Sequence, residues 1–290
     1  MKSIVNTLPS SRLVTATRLG LPYVPAPFTT VNEGLVIAQG ESLRPGQIPT
    51  MGCFMIGIGG HRSTLGVDGI AVTEPLHHQV IDAGTFKPMP FVLRDKANDL
   101  TKEQRTRYAL RREETHGGRN YYAYYGRRLD LSGVVIRDKR AWYDEAGNRQ
   151  VEDFIPDQSG LQPTPLQISS TGTNTTSGES YYSSAIFKVL FNEADVREYL
   201  NVSKIIYGDE RYAIISEIAF CTNGDATVSI PTPTGNDNFL EAIVCQIVSF
   251  ITAKYELIYS KKGFDFDVEL GSIEPIVGSV TIADDPVPNP

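Results

Sequence analysis

The sequence predicts an α+β protein that is predominantly β, with antiparallel sheets, a few short helices and extended terminal arms. Short runs of β-branched and aromatic residues recur along the chain and are separated by glycine, proline and asparagine turns, as in antiparallel sheets. Helical periodicity is confined to short segments. With 290 residues, of which 41% are hydrophobic and 21% charged, the chain is long enough to bury a core without disulfides or a structural metal.

Composition divides the chain into five segments. They are an extended N-terminal arm (1–50), a β-rich domain (51–155) carrying a basic insertion (98–140), a low-complexity linker or loop (156–179), an α+β domain (180–274) and an extended C-terminal tail (275–290). Prolines in the two terminal segments remove backbone donors and favour extended chain, so we expect these arms to lie across other surfaces. The linker is rich in Ser, Thr, Gly, Pro and Gln, which cannot offset the entropy of ordering by burial.

The first half after the arm has hairpin patterning. Cys53–Ile58 is predicted as a buried strand, followed by a glycine turn and a short strand near Gly69–Val72. The intervening GIGGHRST segment lacks the Gly-Lys-Ser/Thr sequence of a phosphate-binding loop. His77 and His78 would point to opposite faces of a strand and could not share one metal, so we interpret them as surface or capping residues.

One short part of this acidic protein is strongly basic. Residues 104–140 contain ten of the 27 Lys and Arg residues and four of the 34 Asp and Glu residues, a net charge of +6 that leaves −13 for the rest. Thr101 and Gln104 match a capping box and predict a helix from about Lys102 to Glu114, which the glycines of the HGG sequence should end. The following NYYAYYGRRLDLSGVVI predicts a strand with tyrosines on both faces.

Further strands and one helix are predicted in the rest of the chain. GTFKPMPFVLRD reads as an extended segment, YYSSAIFKVLFN as a strand, WYDEAGNRQVEDF as a hairpin, and EADVREYLNVSKII as a short amphipathic helix. RYAIISEIAFC should be a strand that ends in a hairpin turn at Asn223-Gly224. Residues 239–259 fit both helical spacing and a strand, and their many β-branched residues favour the strand.

Charge and cysteine content limit the functions to consider. The net charge of −7 and pI near 5.2 argue against attraction of the whole surface to nucleic acid or to an anionic membrane. No apolar run of spanning length and no signal sequence is present, so we expect a soluble protein. Cys53, Cys221 and Cys245 are odd in number and far apart in apolar surroundings, which favours buried thiols in a reducing cytoplasm over disulfides. We expect no metal and no cofactor.

No catalytic motif is present: the sequence has no nucleophile elbow, no HExxH and no paired cysteines, although a carboxylate pair would need no local motif. We therefore do not expect an enzyme. The basic stretch is instead the candidate interface, because tyrosine and arginine are enriched in protein contacts and the rest of the chain is acidic. The candidate residues are Arg111, Arg112, Arg119, Tyr121, Tyr122, Tyr124, Tyr125, Arg127 and Arg128. The same residues could stack on bases and contact phosphates, so a single-stranded nucleic-acid-binding protein using residues 104–140 is the alternative.

The sequence also resembles virion structural proteins of tailed bacteriophages. The resemblance covers most of the chain and lies in its proline-bearing arms, in PFVLRDKANDLTKEQRTRYALRREETHGGRNYYAYYGRRLDLS and in QIVSFITAKYELIYSKKGFDFDVELGSIEP. It implies a neck, tail or baseplate subunit of a contractile-tailed particle, assembled in the host cytoplasm and packed against identical or different virion proteins, with no enzyme activity. Under this hypothesis, reversing Arg127 and Arg128 to Glu should weaken assembly and spare the fold.

Overall fold

The computed structural model describes residues 3–26, 43–163, 179–232, 235–257 and 263–275. They form a mostly β structure with antiparallel sheets and three α-helices, which confirms the predicted fold class. The strands are β1 (Ser3–Asn6), β2 (Thr50–Gly57), β3 (His61–Leu65), β4 (Ala71–Pro75), β5 (Pro88–Met89), β6 (Val92–Asp95), β7 (Tyr108–His116), β8 (Arg119–Arg128), β9 (Ile136–Tyr143), β10 (Arg149–Asp153), β11 (Ser180–Phe191), β12 (Ile214–Thr232), β13 (Gly235–Leu257) and β14 (Phe264–Pro275). The helices are α1 (Leu8–Leu19), α2 (Lys102–Arg105) and α3 (Glu193–Tyr207).

The chain divides into two compact units that differ from the predicted domains. The large unit combines residues 1–129 with 190–265, and the small unit combines 130–189 with 266–290. The described residues of the predicted linker, 156–163 and 179, fall within the small unit. Each unit joins segments distant in sequence, which composition along the chain does not reveal.

The large unit is built on an eight-stranded sheet with the order β1-β13-β12-β2-β8-β6, in which β5 also pairs with β2 and β7 with β8. Its longest members are β12, with 19 residues, and β13, with 23. β13 covers most of the segment that was ambiguous between helix and strand, so the preference for a strand is confirmed over 239–257. Phe220, Ile247 and Phe250 are fully buried along this pair.

The predicted hairpin turn at Asn223-Gly224 is wrong. β12 continues through both residues, Asn223 pairs with Cys245 and Gly224 with Val244, and the register shifts immediately after Gly224. The glycine therefore marks a bulge within a long strand, a second place where this residue is common. The β12–β13 hairpin closes between Thr232 and Gly235 instead.

The prediction of an extended N-terminal arm is wrong for residues 3–19. β1 pairs with β13 at the edge of the large sheet, and α1 follows it. The Thr7 hydroxyl accepts a hydrogen bond from the Ser10 amide and donates one to the Ile247 carbonyl at 2.7 Å, which begins the helix and ties it to β13. Residues 27–42, most of the predicted linker (164–178) and nearly all of the predicted C-terminal tail (276–290) lie outside the described residues.

The helix predicted for about 102–114 is wrong beyond its first turn. The Thr101–Gln104 capping box forms, but α2 ends at Arg105 and β7 begins at Tyr108. β7 pairs with β8 along its length, and Gly117 and Gly118, with φ of 55° and 77°, close a two-residue hairpin turn. Cross-strand pairing thus overrides the local helix signal, and the glycines turn a hairpin.

The amphipathic helix of the second half is confirmed as α3. Asn192 and Asp195 form a capping box at its start, and Gly208 ends it with φ of 76°. Its inner face buries Val196, Tyr199 and Val202.

Two further sheets complete the architecture. The small unit contains a four-stranded sheet with the order β10-β9-β11-β14, and the predicted hairpin around Gly147 is its β9–β10 connection. Within the large unit, β3 and β4 form a separate two-stranded sheet.

Candidate functional site

All nine predicted interface residues lie on the β7–β8 hairpin. The structure therefore brings them together, but it does not leave them on one open surface. Tyr124 and Tyr125 are buried, Tyr121 and Tyr122 are half-buried, and Arg119 is exposed near the turn. The inner end of the hairpin belongs to the core, and the end near the turn faces solvent.

The two buried tyrosines are held by charged partners. The Tyr124 hydroxyl donates to Asp99 Oδ1 at 2.6 Å and accepts from Arg105 Nε at 2.8 Å. The Tyr125 hydroxyl donates to Glu114 Oε1 at 2.6 Å. Burial raises the pKa of both phenols well above the ordinary value. Both therefore stay neutral and act as hydrogen-bonding parts of the core.

Arg127 and Arg128 are paired with carboxylates of the same chain. The Arg127 guanidinium contacts both oxygens of Asp195, at 2.8 and 3.3 Å, and these side chains are 12% and 5% exposed. Arg128 contacts both oxygens of Asp225, at 2.7 and 3.3 Å, and donates to the Leu240 carbonyl at 2.8 Å. Two-point contacts of this kind between a guanidinium and a carboxylate are among the strongest hydrogen bonds that side chains form. Charge reversal at these positions would therefore disturb the fold, contrary to the expectation from sequence.

The remaining arginines of the hairpin are also largely engaged. Arg111 lies over the Tyr122 ring at 4.2 Å and is 3.3 Å from Asp99. Arg112 pairs with Glu114 within β7. Acidic residues elsewhere in the chain thus neutralise most of the local excess of positive charge. The spacing of the basic residues in the sequence does not predict which acidic residues these are.

A cavity of about 190 Å³ opens beside the base of the hairpin. Its wall includes the cations Lys102, Arg105, Arg111 and Arg128. The Arg105 guanidinium lies 4.4 Å from the centre of the Phe239 ring, another wall residue. Glu241 also lines the cavity. Its Oε2 is buried without a hydrogen-bond partner within the described ranges, and burial raises its pKa despite the neighbouring arginines.

A buried histidine forms the second polar cluster of the large unit. His78 Nε2 is 2.6 Å from Glu217 Oε1, and its Nδ1 is 2.8 Å from Asp82 Oδ2. The ring is stacked between Phe86, at 4.1 Å, and Phe250, at 3.7 Å. Burial alone would lower the pKa of His78, but the bonds to the two carboxylates raise it. The interpretation of His78 as a surface or capping residue is therefore wrong. Its side chain is buried, and Glu217 of β12 and Phe250 of β13, both distant in sequence, contact it there.

The three cysteines converge in the core of the large unit. They are free, as predicted, and fully buried. Their sulfur atoms all lie within 4.8 Å of one another, the Cys53 and Cys245 Sγ atoms being 3.9 Å apart. Thiol hydrogen bonds from Cys221 and Cys245 lower the pKa of Cys53 well below its usual value. Among the described residues, this is the group of side chains with metal-ligand spacing.

The β3–β4 hairpin presents apolar residues to solvent. Leu65, Val67, Ile70 and Val72 are between 53% and 113% exposed. The tip is well formed, since the Gly66 amide donates to the Ile70 carbonyl at 2.8 Å and Asp68 Oδ1 accepts from the Ile70 amide at 3.1 Å. An ordered hairpin with an apolar exposed tip is typical of a contact with another macromolecule.

The fold and these sites define a two-unit antiparallel β-protein with a basic hairpin that is paired mainly within its own chain. A family model described as "Family of unknown function (DUF7208)" matches residues 1–284, and the chain belongs to that family. Searches of curated proteins and of solved structures found no match. In the described part of the chain, no helix is long and apolar enough to cross a membrane.

Proposed function

We propose that this protein is a structural subunit of a tailed-bacteriophage particle, in the neck, tail or baseplate, and that it acts by packing against identical or different virion proteins. The resemblance of its sequence to such subunits motivates the proposal. The observation that supports it most is the β3–β4 hairpin, whose apolar tip is exposed in the single chain.

Burial in a partner would stabilise this hairpin. A two-stranded hairpin is at best marginally stable alone in water. Its strands are held together by the Arg62–Glu74 ion pair and by a hydrogen bond of 2.8 Å between the Ser63 and Thr73 hydroxyls, both exposed. Removing one large aliphatic side chain from water contributes about 1.5–3 kcal/mol. Four such side chains at the tip provide enough apolar surface to anchor a contact between subunits.

The solvent-facing end of the β7–β8 hairpin is the second proposed contact. Arg119 is exposed there, and Tyr121 and Tyr122 are half-buried. Arginine exposed at the edge of an interface favours an acidic partner surface and speeds association, and tyrosine is enriched in such contacts. Of the nine candidate residues, these three remain the best placed to contact a neighbour.

The test replaces Val67 and Ile70 together with Ser, and Leu19→Ser serves as the control. Leu19 is 64% exposed at the end of α1, close to the 64% of Ile70, but lies outside the β3–β4 hairpin. Loss of two buried side chains should weaken assembly by at least about tenfold. We expect the double variant to keep the circular dichroism spectrum and unfolding midpoint of the wild type, and to be depleted from purified particles.

Two results would change the proposal. If the double variant enters particles at the level of the wild type, the β3–β4 hairpin is not a contact. If the purified protein instead binds single-stranded DNA with an affinity that falls steeply with salt, and Arg119→Glu removes this binding, the nucleic-acid alternative replaces the virion subunit.

A further inference from the structure

We propose that Cys53, Cys221 and Cys245 form a binding site for a thiophilic metal ion with a filled d shell, Zn²⁺ or Cu⁺, in the core of the large unit. The proposal reverses the expectation from sequence, which rested on the wide separation of the cysteines along the chain. It is independent of the proposed virion function.

Strand pairing brings the three thiols together. Cys53 on β2 lies directly opposite Cys221 on β12. Cys245 on β13 lies opposite Asn223, two residues further along β12 and on the same face as Cys221. Directly opposed and diagonal neighbours on one face of a sheet are within reach of each other. Three adjacent strands therefore each supply one sulfur, and none of the local spacings typical of zinc sites is needed.

The sulfur positions fit such an ion. Because the three Sγ atoms lie within 4.8 Å of one another, a central point exists within about 2.8 Å of each, and zinc–sulfur bonds measure about 2.3 Å. Three sulfurs around a metal at that bond length would be about 4.0 Å apart in a planar site. The observed separation of Cys53 and Cys245 is 3.9 Å, so only small movements would be required.

The surroundings are suited to a thiolate site. All three cysteines are fully buried, and a Cβ atom at Gly126 would lie 3.1 Å from Cys53 Sγ, so the cluster is closely packed. Asn223 Oδ1 lies 3.4 Å from Cys53 Sγ. The Nδ2 of the same amide is buried and has no hydrogen-bond partner within the described ranges. An unpaired buried donor requires an explanation, and a thiolate that carries charge in the metal-bound state would accept from it after a small rotation.

Binding would convert three thiols and one ion into a metal trithiolate and three released protons. Since the sulfurs are fully buried, the ion would enter while the chain folds, and binding would stabilise the folded state directly. Zn²⁺ normally takes four ligands, for which Asn223 Oδ1 is the available fourth, whereas thiolate ligands alone suit Cu⁺. Replacement of Asn223 by Ala should therefore weaken binding of Zn²⁺, which loses a ligand, more than binding of Cu⁺, which loses only the amide hydrogen bond to a thiolate.

The test refolds the reduced full chain without oxygen in the presence of Zn²⁺, Cu⁺ or a chelator. Bound metal is counted by elemental analysis after gel filtration, and the unfolding temperature is measured for each sample. We expect about one ion per chain and a higher unfolding temperature with metal than with chelator. Cys245→Ala and Cys221→Ala should each lose at least about tenfold in affinity and show a smaller difference in unfolding temperature between metal and chelator than the wild type.

Comparing each variant with itself, with and without metal, removes the effect of the altered packing. A wild-type chain that retains less than about 0.1 equivalent of either ion and unfolds at the same temperature in metal and in chelator would overturn the proposal. Because that outcome is read on the wild type, the proposal stays testable even if a cysteine variant does not fold.

Discussion

Replacing Arg127 by Glu should unfold the large unit more readily. The Arg127 guanidinium contacts both oxygens of Asp195, which also accepts the backbone hydrogen bond that begins α3. The two side chains are only 12% and 5% exposed. The variant would place two carboxylates face to face in a site that excludes most water.

Breaking a buried ion pair by removing one partner costs about 3–5 kcal/mol. The Arg107 guanidinium lies 3.5 Å from Asp195 Oδ1 and would replace part of the lost attraction. The carboxylate introduced at position 127 would repel Asp195 and add to the loss of stability. We therefore expect a loss of about 4 kcal/mol, which lowers the unfolding temperature of a chain of this size on the order of 10 °C. Arg119→Glu, at an exposed position, should change stability by less than about 0.5 kcal/mol.

The assay is urea unfolding followed by circular dichroism, on wild type, both variants and the double variant Arg127→Glu with Asp195→Lys. Exchanging the two charges should recover part of the loss, because the pair is restored in the opposite sense. If Arg127→Glu unfolds at the same urea concentration as Arg119→Glu, the Arg127–Asp195 pair does not stabilise the fold, and the interface role predicted from sequence becomes the better explanation.

Three further predictions concern the core. The bonds to Glu217 and Asp82 raise the pKa of His78 in the folded state. The stabilisation that protonated His78 gives to the fold is therefore complete below the pKa of the unfolded chain, about 6.5, and is lost as the pH rises through the folded-state pKa. As the pH rises above about 6.5, the unfolding free energy of the wild type should fall more than that of His78→Gln. The same pH dependence in both proteins would show that the pKa of His78 is not raised by folding. Gly60→Ala should destabilise the fold by about 2 kcal/mol or more, because its Cβ would overlap the Ser216 carbonyl, whereas Gly160→Ala, with open space around it, should be neutral in the same urea assay. Tyr124→Phe should cost about 1–3 kcal/mol in urea unfolding by leaving Asp99 and Arg105 without their phenol partner, and an unchanged midpoint would mean that water replaces it.

Local patterns predicted most of the β-strands and α3 because their signals lie within a few residues. The capping residues Asn192 and Asp195 and the apolar spacing of residues 193–207 favour a helix locally. The β-branched density of 239–257 likewise favours the strand that forms there. Asn223-Gly224 and the HGG sequence show where prediction from local patterns fails. Glycine occurs in turns, in bulges and at helix ends, and the pairing of strands in the folded protein decides which of these forms.

The sites depended on contacts between distant residues, which a single sequence does not reveal. Residues 104–140 were correctly identified as unusual, but the acids that neutralise Arg127 and Arg128 lie at positions 195 and 225. Cys53 and Cys245 are separated by most of the chain and approach to 3.9 Å only because β12 lies between their strands. The hairpin expected between Cys53–Ile58 and a strand near Gly69–Val72 does not form: β2 pairs with β12, β5 and β8, and β4 pairs with β3, a strand that was not predicted. The exposure of the apolar residues of the β3–β4 hairpin could likewise be learned only from the structure.

The proposed place of this protein in a virion is tested most directly by quantitative mass spectrometry of tailed-phage particles, purified from cultures in which this chain is produced. Its peptides should co-purify with intact particles through a density gradient at several copies per particle. They should remain after a high-salt wash, because the main proposed contact, the tip of the β3–β4 hairpin, is apolar. Absence of these peptides from intact particles, together with their recovery from the soluble fraction of the same lysate, would contradict the proposal.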